Sequence, residues 1–189
     1  MKLVRLIGVV WLVLTLAACA VLEGPPGVRL RVEGATLYLD GQIDVADRRR
    51  FLDTLAANPQ LEVVVLGHVP GSIDERAVRD MGRAIRSRGL ETRLTQGSQI
   101  YSGGVDLFVA GAQRSVAPGA IIGVHAWADG FRSGNEYPPD SPKHAALRAY
   151  TEEMLGSDAF YWFTLAVAPN DGIHLMSRAE MQRFGLITN

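Results

Sequence analysis

Leu61 to Ser72 reads Leu-Glu-Val-Val-Val-Leu-Gly-His-Val-Pro-Gly-Ser. Five of the first six residues are apolar and they do not alternate with polar ones, the pattern of a strand covered on both faces, as parallel sheets require. A loop from His68 to Ser72 follows, and then Ala77, Val78, Met81 and Ile85 recur on one helical face until Gly89 stops the helix. The unit is therefore strand, loop, helix. On its N-terminal side, Val28 to Val32 and Thr36 to Leu39 read as strands about the turn Glu33-Gly34-Ala35, and Val45, Phe51, Leu52 and Leu55 mark a helix ending at Asn58-Pro59. On its C-terminal side come a strand over Glu91 to Thr95, a small helix over Ser102 to Ala110 and a strand over Ile121 to Val124. A loop over Ala126 to Pro142 leads to helices at Lys143 to Gly156 and Asp158 to Ala168. The last helix starts on the capping box Ser177-Arg178-Ala179-Glu180 and closes at Gly185. Strands alternating with helices predict an α/β domain with a mostly parallel sheet and flanking helices.

The chain has 189 residues, 48% hydrophobic and 21% charged, which excludes a disordered or fibrous protein and fits one domain. Its net charge of −1 lacks the electrostatic footprint of a nucleic-acid binder, so no nucleic-acid partner is expected. The single cysteine cannot form an internal disulfide.

The N-terminus has a separate character. Lys2 and Arg5 precede the 13-residue apolar run Leu6 to Ala18, too short to cross a bilayer core of about 30 Å but suited to a signal peptide. The run ends Leu16-Ala17-Ala18-Cys19, which resembles the lipobox of bacterial lipoproteins. That resemblance implies cleavage before Cys19, acylation of its thiol, and a membrane anchor of more than one acyl chain. Ala20 rather than an aspartate follows, which in such proteins favours the outer membrane over the inner. The expected organisation is a signal peptide over 1–18, a lipidated cysteine and tether over 19–27, and one domain over 28–189, facing the periplasm.

The chemistry-bearing motifs are few. His68, His125, His144 and His174 show no metal-ligand spacing, and phosphate-binding glycine loops and the Gly-x-Ser-x-Gly elbow are absent from the sequence, so no metal or cofactor is expected. What stands out is Gln99-Ile100-Tyr101-Ser102-Gly103-Gly104, a serine where a loop turns into a helix, followed by two glycines that admit a substrate backbone. Adjacent amides at such a turn can hold an oxyanion. Asp106, one helical turn on, could orient a base or bind a backbone amide.

Taken in order, these segments resemble the proteolytic subunit of Clp protease and its crotonase-fold relatives. Val64 to Ser72 matches that family's strand and Ser-Pro-Gly-Gly loop. Ser102 to Gly111 matches the nucleophile-bearing helix and its Ala-Gly end. Val116 to His125 matches the strand leading to the catalytic histidine, and Leu175 to Leu186 matches the closing Ser-x-x-Glu-Ala segment. The resemblance implies a ClpP/crotonase-like fold with a helical handle-like insertion and a peptide or protein substrate. It implies Ser102 as nucleophile, His125 as general base, Asp171 as the acid, and the amides of Ser72 and Gly103 as the oxyanion site. It also implies self-association through residues 143–168, where Phe160 to Val167 would be core or a subunit contact.

The match departs at three places: Ser72 replaces a glycine, Ile173 stands where the family has its aspartate, and Ala126-Trp127-Ala128-Asp129-Gly130 replaces a glycine-rich strand. Three alternatives follow. The fold could be kept without chemistry as a binding or assembly module; Lys143 could serve as base in a Ser-Lys dyad; or the chain could handle acyl-CoA, which export makes remote. Arg76, Arg79, Arg83 and Arg86 fall on one helical face, either solvated or facing anionic lipid.

Overall fold

Three times the chain lays a strand in one sheet and continues it into a second. The computed structural model describes residues 27–188; the expected signal peptide, Cys19 and the tether up to residue 26 lie outside the described residues. The strand β1 (Arg29–Glu33) pairs antiparallel with β2 (Thr36–Asp40), and α1 (Val45–Ala57) follows. Next come β3 (Val63–Leu66), β4 (His68–Val69) and α2 (Glu75–Ser87), then β5 (Glu91–Leu94), β6 (Gln99–Tyr101) and α3 (Gly103–Val109), then β7 (Arg114–Val116) and β8 (Ile121–Val124). After two short 3-10 turns come α4 (Ala145–Leu155), α5 (Ala159–Val167), β9 (His174–Leu175) and α6 (Arg178–Arg183).

The first sheet has the order β1-β2-β3-β5-β7 and the second β4-β6-β8-β9. Within them β2-β3-β5-β7 and β4-β6-β8 run parallel, so the α/β expectation is met, but with two sheets rather than one. The loop expected at His68-Val69 contains a strand. Strands of two or three residues are too short to show a period, which is why they escape a reading of the sequence.

Local chemistry sets the elements. Asp44 and Asp47 form a reciprocal capping box on α1, and the fully buried Asp47 also accepts from Val28 N at 3.1 Å, fixing the start of β1. Asp74 caps α2 through Ala77 N at 2.7 Å. The face of α2 predicted from its spacing is the buried one: Ala77, Val78, Met81 and Ile85 join Phe51, Leu66 and Phe108 in the core.

The arginines of α2 are used inside the molecule. Arg79 pairs with Glu75, Arg83 makes a two-pronged ion pair with Glu153, and Arg86 donates to the carbonyls of Val109, Ala110 and Met154, closing the C-terminal ends of α3 and α4. A lipid-facing arginine stripe is therefore corrected; of the four, Arg76 alone makes no such contact. The handle-like insertion also takes a different form. The α4–α5 pair lies on the body, with Tyr150 Oη donating to Asp106 O at 2.9 Å and Phe160 and Phe163 packed on Phe184. Among the described residues no helix is long and apolar enough to cross a membrane.

The contact that seats α3 on β4 leaves no space. A Cβ on Gly104 would stand 2.9 Å from the backbone oxygen of Val69, an atom that cannot swing away. Gly104→Ala gains about 1 kcal/mol of helix propensity but overpacks a backbone contact worth about 1–3 kcal/mol of strain. The expected outcome is a net loss of stability and a melting temperature lowered by several degrees, read by thermal denaturation.

Candidate active site

The carboxyl ends of β4, β6 and β8 lie side by side, because β4 pairs with β6 through Val69 and Ile100, and β6 with β8 through Tyr101 and Gly123. Crevices at the carboxyl ends of parallel strands are where open α/β sheets bind ligands. Here the residues just past those ends are Ser72, Ser102 and His125, and all three line one cavity of about 260 Å³. The structure therefore brings these three residues to one cavity, with no hydrogen bond between Ser102 and His125 among the described residues.

Ser102 is held in an unusual conformation. At φ 49° and ψ −122° it is the one non-glycine residue among those described with a positive φ. It precedes α3 but its side chain makes no capping bond, and its hydroxyl has no partner among the described residues. An ordinary helix-capping serine has extended backbone and bonds back to the helix. Strain of this kind, of order 1–3 kcal/mol, persists where the surroundings over-determine it. Here Val105 N and Asp106 N bond to Ser102 O at 2.8 and 3.3 Å, and Ser102 N to Gly123 O at 3.3 Å. Gly71 packs directly against the Ser102 side chain.

His125 follows β8 and is half-buried. Its Nδ1 lies 2.8 Å from the carbonyl oxygen of Ala126. A carbonyl only accepts, so Nδ1 is the donor and Nε2 is the ring nitrogen left to act as a general base. The backbone thus orients the ring. Asp171 does not: it lies exposed in the turn that Pro169 O and Gly172 N close at 3.1 Å, and it lines a different cavity. That tight turn holds Asp171 away, so the structure does not bring the expected acid to His125. Its neighbour Asn170 does reach the Ser102 cavity.

Neither of the two expected oxyanion amides has a hydrogen-bond partner among the described residues. Gly103 N begins a helix and has no intrahelical acceptor, and Ser72 N makes no backbone bond while its neighbours pair with Ile43. The two residues touch, since a Cβ on Gly103 would lie 3.2 Å from Ser72 N. The side chain that Ser72 carries in place of a glycine packs on the start of α3, nearer to Gly103 than its own amide is.

Lys143 is placed elsewhere. Its ammonium donates to Asp129 Oδ2 at 2.9 Å, and that carboxylate, which also accepts from Tyr137 Oη at 2.7 Å, holds the lysine above its usual pKa. It does not line the Ser102 cavity, so in this arrangement a Ser-Lys dyad is not formed. His144 is a buried structural histidine between Tyr161 Oη and Pro138 O, inside an aromatic cluster with Trp127, Tyr137 and Trp162.

The cavity holds one feature of uncommon chemistry. Asp106 points its carboxyl into it without a hydrogen-bond partner among the described residues, and burial pushes its pKa up to about 7. Glu75 adds to that rise and Arg79 opposes it. Among the described residues no group of three or more His, Cys, Asp or Glu stands together as a metal site would need.

The fold is thus a two-sheet α/β domain with an accessible serine at its parallel-strand ends. No protein-family model and no curated protein matches the chain. Among solved structures it is similar to a lysine-to-alanine mutant of a membrane-bound stomatin-specific protease in complex with a substrate peptide, with 15% identity and a TM-score of 0.53. The similarity covers 83% of this chain and 75% of that one. At that identity the likeness is one of fold.

Because Ser102 sits in a region that glycine enters freely, Ser102→Gly relieves strain that Ser102→Ala retains. The glycine variant is expected to be about 1 kcal/mol more stable than the alanine variant in denaturant titration, although glycine normally destabilises.

Proposed function

We propose that the chain is a cell-envelope serine hydrolase, acting as a peptidase, on a ClpP/crotonase-like fold. The observation that carries this reading is the joint placement of a strained, uncapped Ser102 and a His125 whose Nε2 is free, on one cavity with two unpaired amides. Ser102 Oγ would bond to the substrate carbonyl carbon as its proton passes to His125 Nε2, while the amides of Ser72 and Gly103 take the oxyanion. His125 then gives that proton to the leaving amine as the C–N bond breaks. Water, deprotonated by the same nitrogen, splits the acyl-enzyme and returns the serine. The Ala126 carbonyl would do the orienting that a carboxylate does elsewhere. A carbonyl stabilises an imidazolium less than a carboxylate does, so a slower enzyme is implied than one with a full triad.

The solved protease with a peptide in its site supports a peptide substrate. A Ser-Lys scheme would here require the Lys143–Asp129 pair to open. The absence of a carboxylate at His125 favours a second reading, a fold kept as a binding or assembly module.

Labelling separates the two. An alkyl fluorophosphonate should leave one adduct on the protein by intact mass, lost in Ser102→Ala and reduced at least about 100-fold in His125→Ala. No adduct over hours on folded protein would leave the binding module. For the anchor we propose lipidation at Cys19 and a location on the outer membrane, facing the periplasm. Cys19→Ser is expected to abolish incorporation of labelled palmitate and move the protein out of the membrane fraction.

A further inference from the structure

The Ser102 cavity has apolar walls and an acidic floor. Leu147 and Phe160 line it together with Thr164, and the carboxyls of Asp106 and Glu75 reach it from α3 and α2. At about 260 Å³ it is several times the roughly 30 Å³ that a water occupies. The two carboxylates are not equivalent. Glu75 already has a partner, Arg79, at 3.3 Å. Asp106 has none, and its backbone carbonyl is the group that Tyr150 Oη satisfies. The site therefore offers one uncompensated carboxyl, one helical turn from the nucleophile, with hydrocarbon surface leading to it. A long aliphatic stem ending in a cation complements that arrangement, its stem on Leu147 and Phe160 and its head on Asp106.

We infer that Asp106 makes this cavity select substrates in which the residue supplying the attacked carbonyl is lysine or arginine. The inference rests on the serine-hydrolase reading. Asp106 would bind the substrate side chain and take no part in bond making. The charged groups facing it are Glu75 and Arg79 on α2, with Tyr150 on α4 and His125 past β8 completing the titratable surroundings. The selectivity depends on pH in a definite direction. With its pKa raised to about 7, the Asp106 carboxyl is mostly neutral in mild acid and mostly ionised in mild base. Preference for a cation therefore grows as pH rises. Because the preference is a ratio of two rates on one enzyme, pH effects common to both reagents cancel from it.

The test uses the full chain in detergent and two peptidyl diphenyl phosphonates that differ only in carrying lysine or the uncharged norleucine next to phosphorus. The rate of Ser102 modification is followed by intact mass, with the fluorophosphonate run in parallel. At about pH 8.5 the lysine reagent should react about 10- to 100-fold faster, the range of a charge-assisted hydrogen bond, with the ratio shrinking at about pH 5.5. Asp106→Asn should bring the ratio within about threefold, while Asp106→Glu, which keeps the charge, retains most of it. Equal rates for the two reagents, or a ratio that survives in Asp106→Asn, would overturn the inference while fluorophosphonate labelling leaves the hydrolase reading standing. Loss of fluorophosphonate labelling in a folded Asp106→Asn protein would also overturn it, by assigning the carboxyl to His125. Failure of every reagent on the parent protein would remove the hydrolase reading and this inference together.

Discussion

Ser98 sits where the three strand units change sheets, and its bonds hold all of them in step. Its hydroxyl donates to Leu66 O at 2.7 Å, at the end of the first unit, and accepts from Thr95 N of its own unit at 3.0 Å. Its carbonyl accepts from Ile121 N at 2.8 Å, at the start of the third unit's second strand. Buried and fully partnered, this one side chain and its peptide set the register of β4, β6 and β8. From that register follow the neighbouring positions of Ser72, Ser102 and His125. A buried polar group without partners would be destabilising, so the same bonds that align the strands are those that Ser98 must make.

The alignment also explains the strain at Ser102. The chain must leave β6, turn sharply and begin α3 at a point where Gly71 lies against the Ser102 side chain and Gly104 against the backbone of Val69. A positive φ is the geometry that remains, and it turns the hydroxyl to the cavity instead of to the helix. Site and packing are thus consequences of one another. The buried α3 that carries Ser102 also carries Asp106 one turn later, so the cavity acquires an unpaired carboxyl for the same geometric reason.

Much of this was legible from the residues. The run Leu61 to Leu66 and the stripe Ala77, Val78, Met81, Ile85 gave the β-α unit because each has a clear period or a clear lack of one. The capping box at Ser177 and Glu180 is local chemistry and was readable as such. Ser102, Gly103, Ser72 and His125 were picked out by the family resemblance, and the structure brings them together because the parallel strands β4, β6 and β8 end side by side. Asp171 shows the limit. Its position depends on how the Pro169 turn closes, and a shift of two residues there points the carboxylate elsewhere. The second sheet was missed because β4 and β9 are two residues long. The Glu75–Arg79 pair is an i,i+4 contact that helical spacing shows, whereas the engagement of Arg83 and Arg86, the capture of Lys143 by Asp129 and the isolation of the Asp106 carboxyl are tertiary facts.

The central claim is that Ser102 works as a nucleophile with His125 as its base, and trapping an acyl-enzyme tests it most directly. The protein would be mixed briefly with an activated ester of a blocked amino acid, quenched in acid and digested, and the peptide containing Ser102 weighed. The account predicts one acyl group on Ser102 within the first turnover and none in the His125→Ala protein over the same interval. A folded protein whose Ser102 stays unmodified through prolonged exposure would contradict it.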